Sequence, residues 1–278
     1  MPQELTFETT SRTVQTNDWK IHFNEAGEGH PLLMLHGSGP GATGWSNFGP
    51  NLKALSTRYR VIAADMPGWG ESAAVTYDER DHVEATLQLL DALEIEKAAF
   101  VGNSMGGMTA LRFATEHPER MSHLITMGSG SPGPLLFGAG DGPTEGLKIL
   151  RKGYQDPSPE TMRQLVDVMT FDSRSASEEL IRQRSDAARA RPDHLANFIA
   201  GMDRGLPFMD LAKIARIQLP TLLFHGRDDR VVHYEHSLKL VSLIPHSRLV
   251  LMNRCGHWLQ LEHAEEFNRL VDDFVSAR

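Results

Sequence analysis

Gly102-Asn103-Ser104-Met105-Gly106 is the stretch that decides the fold, because it matches G-x-S-x-G in a particular local setting. The apolar residues 98–101 before it predict a short buried strand, and residues 105–117 after it predict a helix. A serine on such a cramped turn has small residues two positions away on each side, and its hydroxyl stands above the sheet edge. A glycine-rich turn with an incidental serine is the alternative. The flanking strand and helix favour a nucleophilic serine.

Short apolar runs bounded by turn residues recur on both sides of this motif. They predict strands buried on both faces, at residues 32–35, 61–64, 98–101, 124–127, 222–224 and 249–252. Helical patterns alternate with most of them, at residues 79–93, 105–117, 234–243 and 264–275. Such alternation is typical of a mostly parallel central sheet flanked by helices.

The alternation stops after about Ser131 and resumes at Thr221. The segment between them begins with Pro- and Gly-rich sequence and then shows helical patterns at residues 161–169, 177–189 and 194–202. The sequence therefore predicts the α/β-hydrolase fold. Its core comprises residues 1–131 and 215–278, and residues 132–214 form an inserted helical cap, or lid.

A serine hydroxyl needs a general base, and position along the chain selects one among 13 histidines. His257 lies just past the last predicted strand and before the last helix, although a packed loop histidine is the plainer interpretation. Asp229 follows Gly226 by three residues after the strand at 222–224, with Asp228 as the alternative acid. The chain order serine, acid, histidine is that of α/β hydrolases. We therefore predict a triad of Ser104, Asp229 and His257, in which the acid orients the imidazole.

The glycine-rich loop His36-Gly37-Ser38-Gly39-Pro40-Gly41 follows the strand at 32–35. We predict that the backbone N–H groups of Ser38 and Met105 form an oxyanion hole. A phosphate-binding loop is the rival interpretation, but the chain has neither a Gly-Lys-Ser/Thr motif nor G-x-G-x-x-G. Asp65 is interpreted as part of a structural turn, because no nearby residues complete a set of metal ligands.

Composition narrows the class of protein. A hydrophobic fraction of 40% with 23% charged residues fits a globular chain, and a net charge of −8 without basic clusters argues against nucleic-acid binding. The single cysteine, Cys255, excludes an internal disulfide and is predicted to be a small buried residue. No signal peptide or membrane span is apparent, so we expect a cytoplasmic protein without membrane or nucleic-acid partners.

Four segments together resemble one family, the meta-cleavage product hydrolases, which cleave carbon–carbon bonds in aromatic catabolism. These segments are residues 36–47, 102–107, 226–230 and 255–258. Ser-Gly-Pro-Gly-Ala followed by Trp-Ser-Asn is far more specific than G-x-S-x-G, and the similarity runs along nearly the whole chain. The chain departs from the family at His233, where a proline is common, and at Met169, where relatives often carry a large aromatic residue.

The resemblance implies a reaction and its participants. The substrates are 2-hydroxy-6-oxohexa-2,4-dienoates, and water cleaves the bond beside the 6-keto group to give a 2-hydroxypenta-2,4-dienoate and a carboxylic acid. No cofactor and no metal are expected. The family is commonly homodimeric or larger.

The resemblance also implies the substrate contacts. Arg184 matches the family's substrate-binding arginine, whose planar fork suits a carboxylate, although an exposed helix arginine is the plainer interpretation. Asn47, Asn103, Trp258 and Gly39 are the other predicted contacts; Asn103 as a helix cap and Trp258 as a core residue are the alternatives. The distal pocket is expected to draw on apolar cap residues, of which none is assigned individually: Phe137, Met162, Met169, Phe171, Phe198, Met202 and Phe208.

Two other functions remain open at this point. A carboxylesterase or lactonase needs only the triad. A ligand-binding protein without turnover is also possible on this fold, because a fold does not dictate a function.

Overall fold

The computed structural model describes residues 4–138, 143–172, 177–204 and 209–277. Its centre is an eight-stranded sheet in the order β1-β2-β4-β3-β5-β6-β7-β8. The first two strands pair antiparallel with each other, β2 pairs antiparallel with β4, and all remaining pairs are parallel. The strands are β1 Ser11–Gln15, β2 Lys20–Ala26, β3 Pro31–Leu35, β4 Arg60–Ala64, β5 Ala98–Asn103, β6 Met121–Met127, β7 Thr221–Gly226 and β8 Ser247–Met252.

All six predicted strands are confirmed as β3 to β8. The antiparallel strands β1 and β2 were not predicted, because neither is a short uninterrupted apolar run; β1 is largely exposed. The prediction that every strand is buried on both faces is wrong for β8. That strand lies at the sheet edge, and its Leu251 remains 39% exposed.

Helices cover both faces of the sheet, as the fold class predicts. One layer combines α2 (Gly44–Leu55), α11 (Leu259–Glu262) and α12 (Ala264–Ser276). The other combines α3 (His82–Ala92), α4 (Met105–Glu116), α9 (Leu211–Ile214) and α10 (Glu235–Leu243), while the short α1 (Phe7–Thr10) precedes the sheet. In the described ranges, no helix combines the length and the apolar character that crossing a bilayer requires.

The cap is helical, and all four of its described helices lie between β6 and β7. They are α5 (Glu145–Gln155), α6 (Pro159–Met169), α7 (Glu178–Ala190) and α8 (Pro192–Gly201). Their apolar side chains form a separate cluster that also contains Val231 and Trp258 of the core. The cap therefore packs directly onto the two loops that follow β7 and β8. The residue boundaries of core and cap stay a prediction.

The buried carboxylate of Asp65 connects three parts of the core near the carboxyl end of β4. Asp65, at the end of β4, is 0% exposed, and its Oδ1 accepts a hydrogen bond from Gly44 N at 2.7 Å. Its Oδ2 accepts one from Glu71 N at 3.0 Å and lies 2.8 Å from Nδ1 of His22 on β2. The interpretation of this segment as a structural turn agrees with these contacts.

We expect Asp65→Asn to destabilise the fold by about 3 kcal/mol, because the amide places N–H groups opposite donors that the carboxylate satisfied. Asp91→Asn is the matched control, since Asp91 pairs with Arg120 at 2.7 Å but is 59% exposed. The control should lose at most about 1 kcal/mol. Urea unfolding at neutral pH measures both, and equal losses would contradict a structural role for Asp65.

Candidate active site

Ser104 occupies a strained turn between β5 and α4. Its backbone has φ 51° and ψ −112°, a conformation that residues other than glycine rarely adopt. Ser104 N donates to Met127 O at 2.9 Å, and Gly106 N donates to His36 O at 3.1 Å. A Cβ on Gly106 would lie 2.1 Å from Leu35 O, so only glycine permits this approach. The predicted elbow is present, with Ser104 at the carboxyl edge of the sheet.

The structure brings the predicted histidine and acid together. Nδ1 of His257 donates to Oδ2 of Asp229 at 2.7 Å, and both side chains are buried. The alternative acid, Asp228, is engaged elsewhere, because its Oδ2 accepts from Arg254 N at 2.9 Å. Of the two acids that the sequence left open, only Asp229 contacts the imidazole.

Asp229 is held as a carboxylate by several donors. Its Oδ1 accepts hydrogen bonds from Val231 N at 2.7 Å and Val232 N at 2.9 Å. Nε2 of His225 lies 3.3 Å from its Oδ2. Burial alone raises the pKa of Asp229, but the charge of His257 and the hydrogen bonds from His225 and His257 outweigh it and leave that pKa well below its usual range. Asp229 therefore stays ionised and fixes the tautomer of His257.

Ser104 and His257 each contact the segment Met127-Gly128 at the end of β6. Ser104 bonds to Met127 O, and the next residue, Gly128, lies directly against the imidazole. A Cβ on Gly128 would be 2.9 Å from both Cε1 and Nδ1 of His257. Within the described ranges, the Ser104 hydroxyl and the imidazole form no hydrogen bond in this state. Catalytic hydrogen bonds are often long without substrate, so the arrangement remains consistent with nucleophile and base.

The two predicted oxyanion donors line one cavity. Ser38, in the loop after β3, and Met105, at the first position of α4, both border a cavity of about 300 Å³. Among the described residues, no acceptor engages the backbone N–H of either residue. Free N–H groups beside a nucleophile suit a developing oxyanion.

Arg184, on α7, is a buried guanidinium. It is 3% exposed, and its Cζ lies 4.6 Å from the centroid of the Trp258 ring. Its Nη1 would be 3.7 Å from a Cβ on Gly39. Desolvation lowers the pKa of Arg184 to about 10, and no carboxylate in the described ranges pairs with it. The interpretation as an exposed helix arginine is wrong, and the charge is available to an anion.

The two predicted asparagine contacts lie in different settings. Asn103 is buried, with Nδ2 3.4 Å from Met127 O and 3.5 Å from His257 O, while its Oδ1 has no described partner. Asn47 is buried on α2, and its Nδ2 donates to Thr43 O at 3.1 Å within its own helix. Asn103 therefore adjoins the triad residues, whereas the role of Asn47 stays a prediction.

Cap residues divide between cavity and core. Phe198 and Met202 border the cavity, whereas Met162 and Met169 are buried in the cap cluster. Phe137 and Phe171 are 80% and 42% exposed, and Phe208 lies outside the described residues. The complete lining is Ser38, Tyr77, Arg80, His82, Met105, Met108, Thr109, Arg112, Pro143, Leu147, Leu150, Arg151, Phe198, Gly201, Met202 and Met209.

Comparison with known proteins assigns the family. A family model described as alpha/beta hydrolase fold matches residues 30–264. A 2-hydroxy-6-oxo-6-phenylhexa-2,4-dienoate hydrolase from Comamonas testosteroni is 45% identical, with 99% of each chain covered. The meta-cleavage product hydrolase from Pseudomonas fluorescens IP01 superposes with a TM-score of 0.83 at 34% identity, covering 95% of this chain and 96% of that one. The chain belongs to the meta-cleavage product hydrolases.

A second Comamonas testosteroni relative differs in its named substrate. It is a 2-hydroxy-6-oxononadienedioate/2-hydroxy-6-oxononatrienedioate hydrolase, 44% identical over 98% of this chain and 99% of its own length. The two relatives therefore differ in the group carried by carbon 6. Membership of the meta-cleavage product hydrolases leaves that group open.

Sequence reasoning missed two residues that position parts of this meta-cleavage product hydrolase site through hydrogen bonds. The hydroxyl of Tyr154, on α5, accepts hydrogen bonds from Gly39 N and Trp69 Nε1, both at 3.0 Å. His225 Nδ1 accepts from the Ser237 hydroxyl at 2.7 Å, and its Nε2 donates to Val232 O at 2.8 Å and lies 3.3 Å from Asp229 Oδ2. Tyr154 carries no local motif. The position of His225, four residues before Asp229 at the end of a strand, was a signal that could have identified it.

Gly128→Ala should reduce kcat/KM for a p-nitrophenyl ester by about 100-fold, because the new Cβ displaces the His257 ring. Gly133→Ala is the matched control: its φ of 87° is also left-handed, but a Cβ there meets nothing within 4 Å. Both variants carry comparable backbone strain, and the control should keep activity within about threefold. Equal losses in the two variants would show that strain, not contact with His257, causes the defect.

Proposed function

We propose that this chain hydrolyses the carbon–carbon bond beside the 6-keto group of 2-hydroxy-6-oxohexa-2,4-dienoate-type ring-cleavage products. The observation that carries the proposal is the buried guanidinium of Arg184, which lies next to Gly39 of the oxyanion loop and has no carboxylate partner among the described residues. An ester hydrolase needs no such group, whereas a dienoate presents a carboxylate. The named substrates of the two Comamonas testosteroni relatives support the same reaction class.

In this proposal the triad performs the cleavage. His257, oriented by ionised Asp229, is the base, and Ser104 is the nucleophile directed at carbon 6. The N–H groups of Ser38 and Met105 stabilise the oxyanion that forms on the 6-keto oxygen. Cys255 does not compete as nucleophile, because burial raises the pKa of its thiol and it remains protonated.

The leaving group imposes a further requirement. Breaking the bond between carbons 5 and 6 leaves an electron pair on carbon 5, so the dienol first becomes a ketone with its proton on carbon 5. The 2-keto group, conjugated with the remaining double bond, then accepts that electron pair as a dienolate. Water supplies the oxygen of the carboxylic acid product. Arg184 holds the carboxylate beside the 2-keto group, and Trp258, Gly39, Asn103 and Asn47 complete the contacts at this end.

We place the protein in the cytoplasm and expect a homodimer or larger homo-oligomer, as the family resemblance implies. Its partner is a small molecule with a carboxylate end, and the net charge of −8 without a basic cluster argues against a nucleic-acid partner.

Ser104→Ala should slow the bleaching of the coloured dienolate at least about 1,000-fold, because the nucleophile is lost. Proton transfer to carbon 5 should persist, since His257 and Asp229 remain, and a transient absorbance change would report the ketone.

Parallel assays with a ring-cleavage product and a p-nitrophenyl ester test the class of reaction. Fast ester turnover by the unaltered protein without dienolate cleavage would favour an esterase or lactonase, and tight binding without turnover would favour a receptor.

Arg184→Gln should raise KM for the dienoate by about 100-fold, the equivalent of a lost charged hydrogen bond, and leave p-nitrophenyl ester hydrolysis within about threefold. Arg182→Gln, on the exposed side of the same helix, is the control and should change neither. Equal losses on both substrates would contradict the assignment of a carboxylate site to Arg184.

A further inference from the structure

A second guanidinium, that of Arg80, borders the cavity and has no acidic partner in the part of the chain that the structure describes. Arg80 precedes α3 and is partly buried against three aromatic rings. Its Cζ lies 5.2 Å from the ring centroid of Tyr77, 5.6 Å from that of Trp69 and 5.9 Å from that of Phe198. Aromatic faces hold a cation in place but do not neutralise it.

The other arginines of the cavity differ from Arg80. Arg112 and Arg151 also border it, but Arg112 pairs with Glu116 at 3.2 Å and Arg151 pairs with Asp203. No aspartate or glutamate belongs to the described lining. Among the described residues, Arg80 has no carboxylate within ion-pair distance, so its charge faces the cavity uncompensated.

The surroundings make this charge consequential. Burial lowers the pKa of Arg80, yet the group stays protonated at neutral pH, because arginine does not deprotonate there. Neighbouring His82 adds no charge, since burial lowers its pKa to about 3. A partly desolvated guanidinium without a described acidic partner is costly, and an incoming anion offsets that cost.

The position of Arg80 relates it to the reacting carbon. Ser38 and Met105, which hold the 6-keto oxygen in the proposed function, border the same cavity as Arg80. Arg184 does not border this cavity, and its Nη1 lies near Gly39. A substrate placed with its dienoate carboxylate at Arg184 and carbon 6 at the oxyanion donors extends its carbon-6 substituent into the cavity that contains Arg80.

We propose that Arg80 binds a second carboxylate, carried by the carbon-6 substituent, and that the chain therefore selects dicarboxylic ring-cleavage products. The inference rests on the proposed function and names its substrate class. It also distinguishes between the relatives, of which one is named for a phenyl-bearing substrate and another for a dioate.

Two substrates of equal chain length test the selection in the unaltered protein. One is 2-hydroxy-6-oxonona-2,4-dienedioate, and the other is the corresponding monoacid with a terminal methyl group in place of the distal carboxylate. We expect kcat/KM to favour the dioate by about 10- to 100-fold, mainly through KM, as one charged hydrogen bond implies. Equal kcat/KM values for the two substrates would overturn the inference.

Arg80→Met should reduce the dioate-to-monoacid ratio of kcat/KM to about 1, and Arg80→Lys should restore part of it as a point charge. Arg204→Met is the matched control, because Arg204 packs against the same Tyr77 ring at 5.2 Å but does not border the cavity. The control should keep the full ratio. Arg80→Met and Arg80→Lys could instead lose activity towards both substrates in parallel while keeping native circular dichroism. That result would assign Arg80 to packing and overturn the inference.

The outcomes separate the two proposals. Cleavage of the monoacid without preference for the dioate refutes only the role of Arg80. Failure of the unaltered protein to bleach either dienolate refutes the proposed function itself, on which the role of Arg80 depends.

Discussion

The backbone of Ser104, held at a positive φ of 51°, is the constraint on which the rest of the site depends. Such strain costs about 1–3 kcal/mol and persists only when the surroundings determine it fully. Here the flanking glycines let β5 and α4 approach to backbone contact, and Ser104 N is anchored to Met127 O. Because Gly128 follows Met127 and lies against His257, the same anchor that strains the serine also positions the base.

The buried charges of the site differ in whether a described residue compensates them. Asp229 is buried but fully satisfied by backbone N–H groups and two imidazoles, so its orientation of His257 is preorganised and independent of substrate. Arg184 and Arg80 are buried to different degrees and have no described acidic partner. A satisfied charge contributes to a rigid triad, whereas an unsatisfied one stores a desolvation cost that only an anionic ligand removes. In the proposed function, the compensated charge of Asp229 therefore serves catalysis, whereas the uncompensated charges of Arg184 and Arg80 serve substrate binding.

The sequence predicted the parallel strands and the family, because buried runs and the segments around Ser104, Asp229 and His257 carry local signals. It did not predict α2, whose Gly49 and Pro50 resemble a loop, although Thr43 caps its first turn. It could not choose between Asp228 and Asp229 by contact, because that distinction depends on where two loops meet. The role of Tyr154 could not be predicted for the same reason, because its hydrogen bond to Gly39 joins residues 115 positions apart.

Arg80 and Arg184, which have no acidic partner among the described residues, lie against different aromatic side chains. Tyr154 stacks on Phe198 with ring centroids 3.7 Å apart, and Trp69 donates to the Tyr154 hydroxyl. Burial raises the pKa of Tyr154, so these rings stay neutral and cannot compensate either guanidinium. Arg80 lies against Trp69 and Phe198, whereas Arg184 lies against Trp258. Each guanidinium thus has its own aromatic contacts, and in the proposed complex a molecule with a carboxylate at either end supplies an anion to both.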